Sequence, residues 1–224
     1  MSNIDAFRRA QIDLKNRQRL LNNRFGDMSP IDNNKLPNMP QGSVVILSKR
    51  IKDILKLIQE STAEDGKEIP FILYGKTEGQ LVHFTDIDAD IDNLQTTEAD
   101  FSNLTQGLQD FINKSKKDGT DIVAHGHSHG KSMNNYHLNF SLGDMNAYKD
   151  MRLNNEVFRT GKIELCSCLL TDGNYNFLFF DGNDYYKFNE VYVQAENGDI
   201  IEKLPCYKSN NNNILRNIFR GRGG

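Results

Sequence analysis

The order of apolar and polar positions divides the chain into helical and extended segments. From Ile4 to Phe25, apolar side chains follow an alternating spacing of three and four residues, which predicts an amphipathic helix. Residues 26–42 hold three prolines among asparagine, aspartate and glycine, and are typical of an extended linker. The chain therefore opens with a helix that a linker separates from the rest of the sequence.

From residue 43 onward, short apolar runs alternate with helical periodicity. The predicted strands are 43–47, 69–74, 81–85, 121–124, 162–169, 175–180, 184–187 and 190–194. The predicted helices are 48–62, 100–117 and 144–151. Helices that interrupt a strand-rich chain indicate an α/β or α+β domain, a mixed sheet flanked by helices, over residues 43–206. Residues 207–224 form a basic tail.

Composition supports one globular domain with appendages. The chain has 224 residues, of which 25% are charged and 38% hydrophobic. No apolar run approaches the ~20 residues of a membrane span, and the chain does not open on a signal peptide. Three cysteines give no disulfide framework, which favours a reducing, cytoplasmic location; a secreted effector remains an alternative.

Charge is distributed unevenly along the chain. Residues 1–25 and residues 207–224 each carry +4, so the remaining body is near −11. The basic ends either contact an acidic partner or are solvated tails, and neither has aromatics interleaved for base stacking. There is thus no strong nucleic-acid signal. The N-terminal helix either packs on the domain or pairs with a second copy of the chain.

Three of the five histidines lie two residues apart directly after an apolar run. They are His125, His127 and His129. In an extended strand, side chains at this spacing lie on one face, within reach of one ion. Because imidazole is the commonest neutral metal ligand, the cluster predicts a zinc site.

The next acid after the cluster is Asp144, three residues after Ser141. A serine at this spacing, opening a helix, places both side chains at the helix N-terminus. Two imidazoles and one carboxylate make a three-ligand zinc site with a fourth position for water. A hydrolase also needs a general base and a hydrogen-bond donor for the developing oxyanion.

These residues resemble the signature of the JAMM (JAB or MPN+) zinc metallopeptidases. The resemblance rests on His127-Ser128-His129, on Ser141-Leu142-Gly143-Asp144, and on Glu68 with Leu73 and Gly75 downstream. It covers roughly residues 43–195. The fold it implies is the JAMM-like, cytidine-deaminase-like mixed sheet.

The resemblance also implies a role for each residue. His127, His129 and Asp144 would hold one zinc per chain. Glu68 would be the general base and later the acid to the leaving amine, and Ser141 would hydrogen-bond the tetrahedral intermediate. The implied substrate is a peptide or isopeptide bond in a protein, a ubiquitin-like conjugate among the candidates.

Several alternatives remain open on the sequence alone. A JAMM-like binding or scaffold module without activity keeps the same fold, and Gly126-His127-Ser128-His129-Gly130 also matches the last metal motif of metallophosphoesterases. His125 could replace a ligand, line the cleft or simply fill the strand; a role in lining the cleft or supporting the ligands from behind is favoured. Phe71, where the family has glycine, is expected to narrow the cleft beside Glu68.

Overall fold

The computed structural model describes residues 35–39, 43–65, 68–89, 121–130, 139–171 and 173–206. The predicted N-terminal helix, most of the linker, the predicted helix 100–117 and the basic tail lie outside these residues. The described part of the chain contains three helices: α1 (Lys49–Asp65), α2 (Leu142–Asn154) and α3 (Glu156–Arg159). None of them is long and apolar enough to cross a membrane.

Nine strands complete the described part. They are β1 (Val44–Ser48), β2 (Pro70–Glu78), β3 (Leu81–Ala89), β4 (Ile122–Ser128), β5 (Glu164–Thr171), β6 (Asn174–Phe180), β7 (Tyr185–Lys187), β8 (Val191–Gln194) and β9 (Ile200–Leu204). They form one sheet in the order β7-β6-β5-β4-β2-β3-β1-β8-β9. β1 pairs in parallel with β3 and β8, and β4 with β5, while the other pairs are antiparallel. The domain is therefore α+β with a mixed sheet.

Helix α1 packs on one face of the sheet. The Ser48 hydroxyl accepts a hydrogen bond from the Ile51 amide at 3.3 Å, so it satisfies one of the amide groups that a helix start leaves without a partner. The apolar stripe Ile51, Leu55 and Ile58 is at most 1% exposed and joins the main core. This core also contains Phe71, one of the side chains that strand alternation turns toward α1.

Helices α2 and α3 lie between β4 and β5 in the chain and pack on the opposite face. Tyr148 of α2 and Phe158 of α3 share a second core with Val123 and Leu165 of those two strands. Because successive strand residues alternate between faces, the side chains of His125 and His127 lie on the same face as Val123, toward α2. Ala124, Gly126 and Ser128 face α1.

Within the described residues the predicted elements are present, and several of them, β2, β3 and β4 included, extend further than expected. β4 continues beyond Ala124 through Ser128, so two of the histidines belong to the strand itself. Two elements were missed, the short helix α3 and the edge strand β9. β9 follows Asn197-Gly198, where Gly198 has φ +90°, and this dipeptide is a hairpin signal that the apolar pattern alone does not contain.

Candidate metal centre

The two histidines at the end of β4 face each other. The Nε2 atoms of His127 and His129 are 3.0 Å apart, and the ring centroids are 4.8 Å apart. His127 is held by the sheet, opposite Leu169 of β5. His129 lies one residue beyond the strand, and its amide donates to the Leu170 carbonyl at 2.8 Å. Both imidazoles are therefore fixed by backbone pairing to β5.

Asp144 reaches the histidines from the start of α2. Ser141 is the N-cap of this helix, so both side chains lie at a helix N-terminus as the Ser-x-x-Asp spacing predicted, and Ser141 forms a capping box with Asp144. The Asp144 Oδ2 atom accepts hydrogen bonds from the Ser141 amide at 2.7 Å and from the Ser141 hydroxyl at 2.8 Å. With Oδ2 held in this way, Oδ1 lies 3.4 Å from His127 Nε2.

An apolar pair fixes this helix start. Phe140, directly before the N-cap, is fully buried with Met145 in one small core, an arrangement known as a hydrophobic staple. The Phe140 ring also meets the His127 ring edge-on, with centroids 6.2 Å apart and planes at 76°. Sequence reasoning missed Phe140, although apolar residues flanking a capping box are a recognisable signal.

Glu68 is brought to the centre by strand register. β2 and β4 are antiparallel, with Pro70 opposite His127. The Ser128 amide donates to the Ile69 carbonyl at 3.2 Å, which continues the same register toward Glu68 and His129. Glu68 Oε1 lies 3.5 Å from His129 Nε2.

The predicted residues therefore converge on one point. Glu68, His127 and His129 offer ligand atoms within 4.8 Å of one another and could hold a metal ion. Asp144 Oδ2 is also 3.7 Å from His129 Nε2, so carboxylates approach the imidazole pair from two different elements. About a quarter of each carboxylate side chain is exposed, against 7% of each histidine side chain, so solvent reaches the centre on the carboxylate side.

Electrostatics couple the members of the centre. Burial alone would lower the pKa of His127, but the Asp144 and Glu68 carboxylates outweigh burial and raise it. Burial alone would raise the pKa of Asp144, whereas His127, His129 and the Ser141 hydrogen bond hold it well below its usual range. The site is thus prepared for positive charge between the carboxylates.

His125 lies on the same face as His127, as the strand pattern predicted, but outside the ligand group. It is opposite Ile72 of β2 and Ser167 of β5. Burial, with a smaller contribution from His127, lowers its pKa to about 3, so it is neutral at pH 7. Its position on the face of His127, outside the ligand group, supports the prediction that His125 lines the cleft.

Phe71 does not narrow the cleft, contrary to the expectation from sequence. Its side chain is fully buried in the main core on the α1 face, while His127 lies on the α2 face. A Cβ added at Gly126 would lie 2.1 Å from the Phe71 ring. The Phe71 ring thus packs against Gly126 on the α1 face of the sheet, and it does not enter the cleft on the α2 face.

Comparisons with known proteins add little to this picture. No protein-family model and no curated protein matches the chain. Among solved structures, the solution structure of protein DSY2949 from Desulfitobacterium hafniense is similar at a TM-score of 0.44 and 15% identity. The similarity covers 68% of this chain and 94% of that one. A TM-score below 0.5 at this identity assigns neither a family nor a function to the chain.

Proposed function

We propose that the protein is a JAMM-like zinc metallopeptidase that hydrolyses a peptide or isopeptide bond. The observation that carries the proposal is the pair of imidazole Nε2 atoms 3.0 Å apart, with the carboxylate of Glu68 from the segment just before β2 and that of Asp144 from α2 beside them. The two carboxylates come from parts of the chain far apart in sequence. The fold proposed with this activity is the JAMM-like arrangement of the mixed sheet.

The donor atoms suit zinc. Tetrahedral zinc at about 2.0–2.1 Å from each ligand separates neighbouring ligand atoms by about 3.3 Å. The Nε2 atoms of His127 and His129 are 3.0 Å apart. Asp144 offers Oδ1 at 3.4 Å from His127 Nε2 and Oδ2 at 3.7 Å from His129 Nε2, so a modest shift of its carboxylate would bring one oxygen near both imidazoles. Zinc held there would supply a Lewis acid that makes water a nucleophile near neutral pH.

Glu68 is proposed as the general base. Its carboxylate lies at the rim of the imidazole pair, 3.5 Å from His129 Nε2, and is partly open to solvent. There it can accept the proton of an attacking water and pass it to the leaving amine.

Ser141 is proposed to donate a hydrogen bond to the developing oxyanion. Its hydroxyl now donates to Asp144 Oδ2, so it would have to turn away from that carboxylate during the reaction. The Ser141 amide would still hold Oδ2 at 2.7 Å, and Asp144 would keep its orientation. The capping box thus allows the hydroxyl to move without releasing the carboxylate.

The proposal is tested by metal analysis combined with a hydrolysis screen. Purified wild type, Glu68→Gln and Asp144→Ala are compared on peptides and on fusions or conjugates of ubiquitin-like proteins. Wild type should hold one zinc and cleave a substrate, Glu68→Gln should keep zinc and lose cleavage, and Asp144→Ala should lose both. Full cleavage by Glu68→Gln would refute the assignment of Glu68 as the general base. Iron in place of zinc would refute the assignment of the metal.

Two rival functions give different results in the same experiment. An inactive scaffold of the same fold would bind zinc and cleave nothing. A two-metal phosphoesterase needs ions about 3.5–4 Å apart and a second ligand cage. The described residues contain one group of candidate ligands, which favours the single-ion peptidase over the phosphoesterase.

A further inference from the structure

Ser128 lies between the two histidines of the centre but faces away from them. Strand alternation turns its side chain toward α1, opposite to His127, and the residue is 1% exposed. Its hydroxyl therefore contacts neither the proposed metal nor a substrate in the cleft. Its contacts are instead with Ile69 and Thr62.

Ser128 holds both backbone groups of Ile69. Its hydroxyl accepts a hydrogen bond from the Ile69 amide at 2.9 Å, and its amide donates to the Ile69 carbonyl at 3.2 Å. Ile69 is fully buried in the main core, and the next residue back is Glu68. The backbone that carries Glu68 is therefore fixed directly to the backbone between the two histidines.

Helix α1 is connected to the same hydroxyl. Thr62 Oγ1 lies 2.6 Å from Ser128 Oγ, and the Thr62 residue is 1% exposed. Thr62 belongs to the last turn of α1, six residues before Glu68 in the chain. The two buried hydroxyls thus connect the helix end, the Glu68 segment and the end of β4 on the face opposite to the cleft.

We propose that Ser128, supported by Thr62, is a positioning residue that sets the distance of Glu68 from the imidazole pair. The proposal rests on the proposed function, in which Glu68 must meet an attacking water at one point. Loss of the Ser128 hydroxyl would remove one of the two hydrogen bonds to Ile69 and free the Glu68 segment. His127 and His129 would keep their pairing to β5 and therefore their affinity for metal.

The test compares Ser128→Ala with Ser167→Ala. Ser167 is a matched control, since it is a buried serine next to β4 whose hydroxyl donates to the His125 carbonyl at 3.1 Å. For the substrate that wild type cleaves, Ser128→Ala should lower kcat about 10- to 100-fold and leave zinc affinity and KM within about threefold. Ser167→Ala should leave kcat within about twofold of wild type. Ser128→Thr, which keeps the hydroxyl, should retain most of the kcat that Ser128→Ala loses.

A double variant shows whether Ser128 acts through Glu68. In the Glu68→Gln background, Ser128→Ala should cause no further loss of the residual kcat, measured at high enzyme concentration, because the group it positions is already gone. An additional loss of the same size as in wild type would overturn the proposal. Equal kcat in Ser128→Ala and Ser167→Ala, or a parallel loss of zinc, would also overturn it.

Crystal structures of zinc-loaded wild type and Ser128→Ala separate this proposal from the proposed function. The Glu68 carboxylate should shift relative to His129 while both imidazoles stay in place; an unmoved Glu68 would overturn the positioning role. If wild type binds zinc but cleaves nothing, the peptidase function fails, and the shift still decides whether Ser128 holds Glu68.

If Ser128→Ala does not fold, Thr62→Val takes its place. This variant keeps the hydrogen bond from Ile69 to Ser128 and should show a smaller loss of kcat; wild-type kcat there would overturn the proposal.

Discussion

At the scale of single residues, Gly126 illustrates how the centre depends on the packing beneath it. A Cβ at this position would lie 2.1 Å from the Phe71 ring, which is itself fully buried. We expect Gly126→Ala to lower the free energy of unfolding by about 1–3 kcal/mol, because the ring has little room to move. Urea denaturation measures the change.

A compensating substitution serves as the control for this prediction. The double variant Phe71→Leu with Gly126→Ala shortens the side chain that the new methyl group meets. Its loss in the free energy of unfolding should be smaller than the sum of the losses in the two single variants. Strict additivity would mean that the methyl group does not meet the ring.

The histidine cluster separates into two candidate ligands and a neighbour. His127 and His129 share the candidate centre. His125 lies in the middle of β4 and stays neutral at pH 7, because burial lowers its pKa. We therefore expect His127→Asn to abolish stoichiometric zinc and His125→Asn to retain one zinc per chain. Zinc analysis after dialysis measures both, and loss of zinc in His125→Asn would make His125 a ligand.

At the scale of elements, the start of α2 carries Asp144 and depends on the packing of Phe140 against Met145. Phe140→Ala should destabilise the fold by about 3–5 kcal/mol, as expected for a buried phenylalanine. It should also weaken zinc binding about 10- to 100-fold, because the helix start that orients Asp144 loses its anchor. Unfolding curves and competitive zinc titration measure the two effects.

Phe158→Ala is the matched control. Phe158 is also fully buried, but it lies in α3 within the second core, away from the centre. It should cost similar stability and leave the zinc affinity unchanged. Equal weakening of zinc binding in both variants would mean that global stability, not the helix start, controls the site.

Elements differ in how well the sequence predicted them. The Ser-x-x-Asp spacing predicted that both side chains lie at a helix N-terminus, because capping is a local interaction between near neighbours; the structure shows them there in a capping box. The approach of Glu68 to His129 depends on the register between β2 and β4, which no local pattern contains. The family resemblance was what placed Glu68 beside the histidines. The face on which Phe71 packs became evident only from the sheet. The edge strand β9 was missed.

At the scale of the whole molecule, the centre makes stability depend on pH and metal. Asp144, whose pKa is lowered in the fold, contributes stability above its unfolded pKa and loses it as pH falls toward the folded value. His127, whose pKa is raised, contributes fully below its unfolded pKa near 6.5 and loses this contribution as pH rises through the folded value. The metal-free protein should therefore lose stability from about pH 6.5 upward.

We expect zinc to reverse this trend, since it would replace the proton on His127 as the positive partner of Asp144. Melting temperatures with zinc or with a chelator, measured between pH 5 and pH 8, should diverge as pH rises. Replacing His127 with Asn should remove the divergence. Parallel pH profiles with and without zinc in wild type would show that His127 and Asp144 are not its ligands.

We expect zinc to be held by the imidazoles of His127 and His129 and a carboxylate. X-ray absorption at the zinc edge, on protein loaded with one equivalent and dialysed, tests it most directly. We expect two imidazole nitrogens at about 2.0–2.1 Å and carboxylate oxygen at about 2.0–2.2 Å from the zinc. A zinc–sulfur shell at about 2.3 Å, or no zinc retained after dialysis, would contradict it.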